Sequence, residues 1–181
     1  TGNIMWETSN PGNWMRTTAS VMPMTLLGEK MYVYCASGGV AGISAEDGSV
    51  GELLWESTLW NNKVTSPSPL KVDDQRLFLT AGNGAGSMML ELKEASGTIA
   101  VEVAFEQDKS KGFSCEQQTP ILYDQHIFAV LPKAAGERRE QFACLNTDGE
   151  IVWTSGKTER YGLGPFLMAD NKYHLKHLFF H

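Results

Sequence analysis

Pro120-Ile121-Leu122-Tyr123-Asp124-Gln125-His126-Ile127-Phe128-Ala129-Val130 is the stretch that decides the fold. A proline opens a short apolar run, two polar residues interrupt it, and a second apolar run follows. Proline lacks an amide hydrogen and fixes its own φ, so it suits the first residue of a strand. Aspartate bonds its own backbone and tolerates hairpin geometry, which makes Asp124-Gln125 a tight turn. The same opening recurs at Pro23-Met24-Thr25-Leu26, Pro69-Leu70-Lys71-Val72 and Pro165-Phe166-Leu167-Met168, at separations of 46, 51 and 45 residues.

Two further landmarks keep nearly the same period. The apolar runs beginning at Met31, Leu77, Ile127 and Tyr173 start 46, 50 and 46 residues apart. A glycine stands four positions before a large apolar residue at Gly2…Trp6, Gly51…Trp55, Gly97…Val101 and Gly149…Trp153. Polar turns separate the first two runs of each period: Gly28-Glu29-Lys30, Asp73-Asp74-Gln75, Asp124-Gln125 and Asp170-Asn171. A third strand is expected at 40–44, 87–92 and 141–146, followed by a turn and a fourth strand. No stretch carries a helical period over a helical length.

Four short strands per period of 45–50 residues is the blade unit of a β-propeller. The expected fold class is therefore all-β, a propeller of four-stranded antiparallel blades. About three whole blades with partial blades at both ends are expected, as a fragment of a ring of about seven or eight blades. The blade ranges are 1–10 (partial), 20–58, 66–106, 117–156 and 162–181 (partial), all in one partial domain spanning 1–181. A single such sheet has two apolar faces and must stack on neighbours, so Trp6, Trp55 and Trp153 are expected to pack between blades.

Composition fits an ordinary folded domain, with 42% hydrophobic and 20% charged residues. A formal charge of −6 opposes binding to nucleic acid or to an anionic lipid surface. No apolar run is long enough to span a bilayer. Cys35, Cys115 and Cys144 lack metal-type spacing and are expected to be free, mostly buried thiols. Gly82-Asn83-Gly84-Ala85-Gly86 has no following helix or Lys-Ser/Thr, so it is a hairpin bend rather than a phosphate loop. Glu137-Arg138-Arg139-Glu140 is expected on a solvated hairpin. The repeat puts His174 and His177 on opposite faces of a strand, so together with His181 they are not expected to form a metal site.

The order Pro-x-apolar, turn, apolar-aromatic run, Asp-Gly or Ser-Gly and Gly-x-x-x-Trp resembles the PQQ-like β-propeller repeat. The resemblance covers residues 1 to about 172, and the last segment, Tyr173-His-Leu-Lys-His-Leu-Phe-Phe-His181, departs from it. The repeat is shared by quinoprotein alcohol dehydrogenases, by a lipoprotein that helps assemble outer-membrane barrels, and by exported bacterial propellers of unassigned activity. The resemblance to this last group implies a periplasmic or otherwise extracytoplasmic bacterial protein.

Propellers bind ligands where loops converge before the innermost strands. Trp14 and Trp60 each lie nine positions before their proline, with Arg16, Asn62 and Lys63 nearby. Gln117, Gln118, Arg160 and Tyr161 hold the corresponding loops of the next two blades. The two indoles either line a polar-aromatic funnel or cap the apolar gap between blades. The repeats absorb nearly every notable residue and leave no catalytic set. The first expectation is a non-catalytic binding or scaffold module without a cofactor, taking a protein, peptide or carbohydrate at this loop face and packing on the remaining blades of its parent chain. The alternative that the resemblance implies is part of a quinoprotein oxidoreductase dependent on PQQ and Ca, with catalytic residues outside this segment. The chain has no Cys-Cys pair of the kind that covers the cofactor in those enzymes.

Overall fold

The computed structural model describes residues 2–108 and 112–177. Within them three four-stranded antiparallel sheets follow one another along the chain, each in simple up-and-down order, and a two-stranded hairpin follows. The first sheet holds β1 (Met22–Leu26), β2 (Glu29–Ala36), β3 (Gly39–Ser44) and β4 (Leu53–Ser57). The second holds β5 (Leu70–Lys71), β6 (Arg76–Ala81), β7 (Gly86–Ala95) and β8 (Thr98–Gln107). The third holds β9 (Ile121–Tyr123), β10 (His126–Val130), β11 (Phe142–Asn146) and β12 (Ile151–Thr154). β13 (Leu167–Ala169) and β14 (Lys172–His174) make the hairpin. The helical element among the described residues is a short 3-10 segment, Lys133–Arg138, inserted between β10 and β11. The charge run at 137–140 therefore begins in that segment and ends in the turn after it, rather than in a simple hairpin.

Successive strand residues point to opposite faces, and the second strand of each sheet uses both. Leu77, Leu79 and Ala81 of β6 join a core with Met31, Val33 and Cys35 of the first sheet. Phe78, between them in sequence, joins a second core with Ile127 and Ala129 of β10 and Leu131 just after it. Phe128 and Val130 of β10 then meet Tyr161, Phe166 and Tyr173 around the hairpin. Each sheet is thus covered on a face by its sequence neighbour, a propeller-like blade arrangement. Burying side chains of this size is worth about 1.5–3 kcal/mol each, which offsets the ordering of short strands.

Register refines the repeat. Met31 pairs with Met24, Phe78 with Leu70 and Phe128 with Ile121, each partner directly following Pro23, Pro69 or Pro120. Met31 therefore matches Phe78 and Phe128, so the run at Met31 is one residue out of phase with those at Leu77 and Ile127. Pro165 departs as well, because Leu167, paired with His174, follows Phe166. The fourth-strand landmark moves too. A bulge falls after Gly42, Met89 and Cys144, and these residues pair with Trp55, Phe105 and Trp153. Phe105, not Val101, is the second sheet's counterpart of the tryptophans, because β7 and β8 are each ten residues long.

Hydrogen bonds between neighbouring sheets gather just before the first strands. The Thr18 amide donates to Thr65 O at 3.2 Å, the Ser20 amide to Ser68 Oγ at 3.0 Å, and the Ser68 amide to Thr119 Oγ1 at 3.0 Å. Before the first sheet, Trp6 stacks on Tyr32 with ring centroids 5.8 Å apart. A Cβ on Gly51 would meet Trp6 at 3.0 Å, and one on Gly149 would meet Phe105 at 3.1 Å. Thr8 Oγ1 donates to Gly51 O, and Gln107 Nε2 donates to Gly149 O. Trp6–Thr8 therefore lies on the first sheet as Phe105–Gln107, the end of β8, lies on the third. The segment 4–8 joins no sheet among the described residues.

Candidate functional site

The loop before β1 is shaped by Asn10. Its Nδ2 donates to Trp14 O at 3.0 Å while its Oδ1 accepts from the Trp14 amide at 2.9 Å. That clamp lays the Trp14 indole across Gly12, across Gly38 of the β2–β3 turn and across Gly39 at the start of β3. A Cβ on Gly38 would come within 2.2 Å of the ring, so only glycine leaves room for it. Beyond Trp14 the loop is tied to the end of β2. The Met15 amide donates to Ser37 Oγ at 2.8 Å, and the Ser37 amide to Met15 O at 2.9 Å. The Thr17 amide donates to Tyr34 Oη at 2.8 Å, and Thr17 Oγ1 to Cys35 O at 2.5 Å.

This anchoring opens a groove of about 290 Å³ between the loop and the outer face of the first sheet. Trp14, Met15, Tyr34, Ile43 and Leu53 supply its apolar wall; Asn10, Arg16 and Glu56 supply its polar rim. On its other side Arg16 borders a second, shallower recess of about 400 Å³ with Thr17, Thr18, Lys63, Val64 and Thr65. Two loops meet there, those leading into β1 and β5. The wall is two cations, three hydroxyls and a valine without a carboxylate, a donor set that does not suit a hard divalent cation.

The other sequence-derived candidates divide. Trp60 is not in a funnel: it is 2% exposed and sits in the core shared by the first two sheets. The same offset from proline thus gives one groove-lining indole and one core indole. Asn62 is half-buried and offers its carbonyl to Thr65 Oγ1 at 3.3 Å. Gln117 is exposed, whereas Gln118 is buried and donates from Nε2 to Val130 O at 2.7 Å. Gln118 thus ties its loop to the end of β10. Arg160 is partly buried, and its Nη1 bonds Gly156 O and Glu159 O. Tyr161 packs on Phe142 and on His177, against the third sheet and the hairpin.

Tyr34, Glu56, Thr17 and Thr18 are site residues that the proline offset does not pick out. For Tyr34 a signal was present: Met31-Tyr32-Val33-Tyr34 alternates, which sets both tyrosines on one face. Among the described residues no group of three or more His, Cys, Asp or Glu is placed to hold a metal ion. His177 Nε2 lies 2.5 Å from Glu159 Oε2, and His181 lies outside the described residues. All three cysteines are free and buried. Burial pushes the Cys35 thiol up to about 12 and raises Cys115 and Cys144 as well, so none is poised as a thiolate nucleophile.

No helix among the described residues is long and apolar enough to cross a membrane. No protein-family model matches the chain, and no curated protein shows significant similarity to it.

Proposed function

We propose that this chain is a non-catalytic binding module built from PQQ-like propeller blades of an exported bacterial protein, and that its ligand is a peptide or carbohydrate held on the loop face. The observation that carries this reading is the groove beside Trp14. It joins an indole and a phenol to an Arg16–Glu56 rim within about 290 Å³, the mixture of apolar wall and few polar groups that suits a small-ligand site. Trp14 is fixed by Asn10 and by the glycines beneath it, so little side-chain entropy is lost when a ligand stacks on it. The blades belong, in the same reading, to a ring of about seven or eight. What supports that is Trp6–Thr8, which occupies against the first sheet the place of a preceding blade's last strand.

The test is a screen of bacterial glycans and of a displayed peptide library, followed by titration of each binder against variants. Trp14→Ala and Arg16→Ala should each weaken binding by about tenfold or more, the size of a lost stacking or charge-assisted contact. Lys172→Gln, an exposed cation on the far hairpin, should leave it unchanged. Binders that tolerate both groove substitutions would remove the groove as the site.

A further inference from the structure

A second recess, of about 420 Å³, lies between the turn that ends the 3-10 segment and the turn after β12. Its lining is Gly136, Glu137, Arg139, Lys157 and Arg160. Three cations against one carboxylate is a local excess of positive charge in a chain whose formal net charge is −6. An excess of this kind makes the local potential positive and draws anions to it.

The two turns are held side by side. The Tyr161 amide donates to Glu140 O at 2.8 Å, and the Arg139 amide to Gly136 O at 3.1 Å. Gly136 itself sits at φ 61° and ψ −124°, backbone that a residue with a Cβ adopts only with strain. Arg160 is pre-set within this frame: Nη1 bonds Gly156 O at 2.9 Å and Glu159 O at 3.2 Å, which leaves Nε and Nη2 without a protein acceptor among the described residues. The neighbouring carboxylate does not neutralise it, because Glu159 is drawn to His177. Glu137 answers Lys157 at 3.6 Å, and both are exposed. Arg139 is exposed and makes no ion pair among the described residues.

We propose that this recess binds a sulfate or phosphate group. Arg160 is the fixed anchor, presenting its guanidinium edge, and Arg139 and Lys157 close over the remaining oxygens. A planar guanidinium held in place matches the oxygen spacing of a tetrahedral oxyanion and spends little entropy in binding it. A dianion gains more than a carboxylate, since three cations converge on it. The recess lies on the same loop face as the Trp14 groove but on different blades. The proposal extends the binding-face reading, and each can fail without the other.

The experiment is calorimetric titration of the 181-residue chain with inorganic phosphate, inorganic sulfate and glycerol phosphate at low ionic strength, against chloride at matched ionic strength. Wild type should bind the dianions and not chloride. Arg139→Gln and Lys157→Gln should each weaken binding several-fold, and the Arg139→Gln/Arg160→Gln pair by about tenfold or more. Lys172→Gln is the control and should match wild type. Tighter binding of glycerol phosphate would identify an ester-linked group as the source, whereas equal binding would identify the free ion. If Arg160→Gln disturbs folding, Arg139→Gln and Lys157→Gln on the exposed rim still decide the matter. Heat indistinguishable from chloride, or losses of equal size in Lys172→Gln, would overturn the proposal.

Discussion

Trp55, Trp60 and Trp153 show how context divides one residue type. Trp55 is 4% exposed and donates from Nε1 to Met31 Sδ, Trp60 is 2% exposed, and Trp153 is 44% exposed against Phe128 and Phe142. Trp55→Ala and Trp60→Ala should each cost about 3–5 kcal/mol in urea denaturation, and Trp153→Ala less than half of that. Trp60 also carries a buried Nε1 with no acceptor among the described residues. Removing an unpaired buried donor recovers its desolvation cost, so Trp60→Phe should cost far less than Trp60→Ala. A Trp60→Phe loss as large as the alanine loss would mean that the indole nitrogen is satisfied in solution.

The buried thiols give a second prediction at this scale. Burial raises Cys35 from 9.0 to about 12 in the folded chain. Between those values the unfolded chain has released a proton that the folded chain retains, so stability is complete below pH 9 and falls as pH rises above it. The slope for one such thiol is at most about 1.4 kcal/mol per pH unit. Cys115 is raised by burial too, with Thr80 opposing, and acts in the same direction. Denaturation midpoints measured from pH 8 to 11 should decline beyond pH 9, and Cys35→Ala should flatten the decline whatever its own baseline. A slope unchanged by that substitution would assign the alkaline loss to other groups.

At the scale of the element, the hairpin between β6 and β7 depends on Gly86. Its φ is 77°, and a Cβ there would stand 2.0 Å from Gln107 O at the end of β8. Thr80 Oγ1 donates to Gly86 O at 2.9 Å and accepts from the Cys115 amide at 2.9 Å, which joins this hairpin to the next loop. Gly86→Ala should therefore destabilise by more than the ~1 kcal/mol of an ordinary turn glycine, since strain and collision act together. Gly97→Ala, also at positive φ but with open space around it, isolates the strain alone. Comparing the two by thermal unfolding separates the contributions, and equal losses would show that β8 yields to the added methyl.

This hairpin and the others were legible in the sequence because turns are local. Proline, Asp-Gln, Asp-Asn and glycine act within four residues, and their period exposed the strands between them. What was not legible depends on partners far along the chain. The shift of one residue between the runs at Met31 and Leu77 follows from a two-residue turn at Leu27-Gly28 against three at Asp73–Gln75, as the pairings Leu26↔Glu29 and Lys71↔Leu77 require. Phe105 takes the tryptophan position because β7 and β8 run long, a fact that no single window of sequence carries. The candidate site split for the same reason: Trp14 meets glycines 24 and 25 residues away, whereas Trp60 meets an apolar core.

At the scale of the whole molecule, three cores are built between consecutive sheets, and the faces at the two ends of the stack differ from them. Against the first sheet, among the described residues, lie Trp6, Thr8 and the loop from Asn10 to Thr17, with Ile4, Met5 and Met15 exposed beside them. At the other end Leu167 of the hairpin is exposed, on a two-stranded sheet that pairs with no further strand among the described residues. Apolar side chains concentrated at a sheet face, with backbone edges beside them, favour association with another such surface. The 181-residue chain should therefore self-associate as its concentration rises through the micromolar range, by sedimentation velocity. Met5→Glu and Leu167→Glu should shift it toward monomer without loss of β-sheet circular dichroism, because neither side chain belongs to a core. A compact monomer throughout that range would show that the end faces are covered in solution, and the segment 4–8, which joins no sheet among the described residues, would be the first place to look for the strand that covers them.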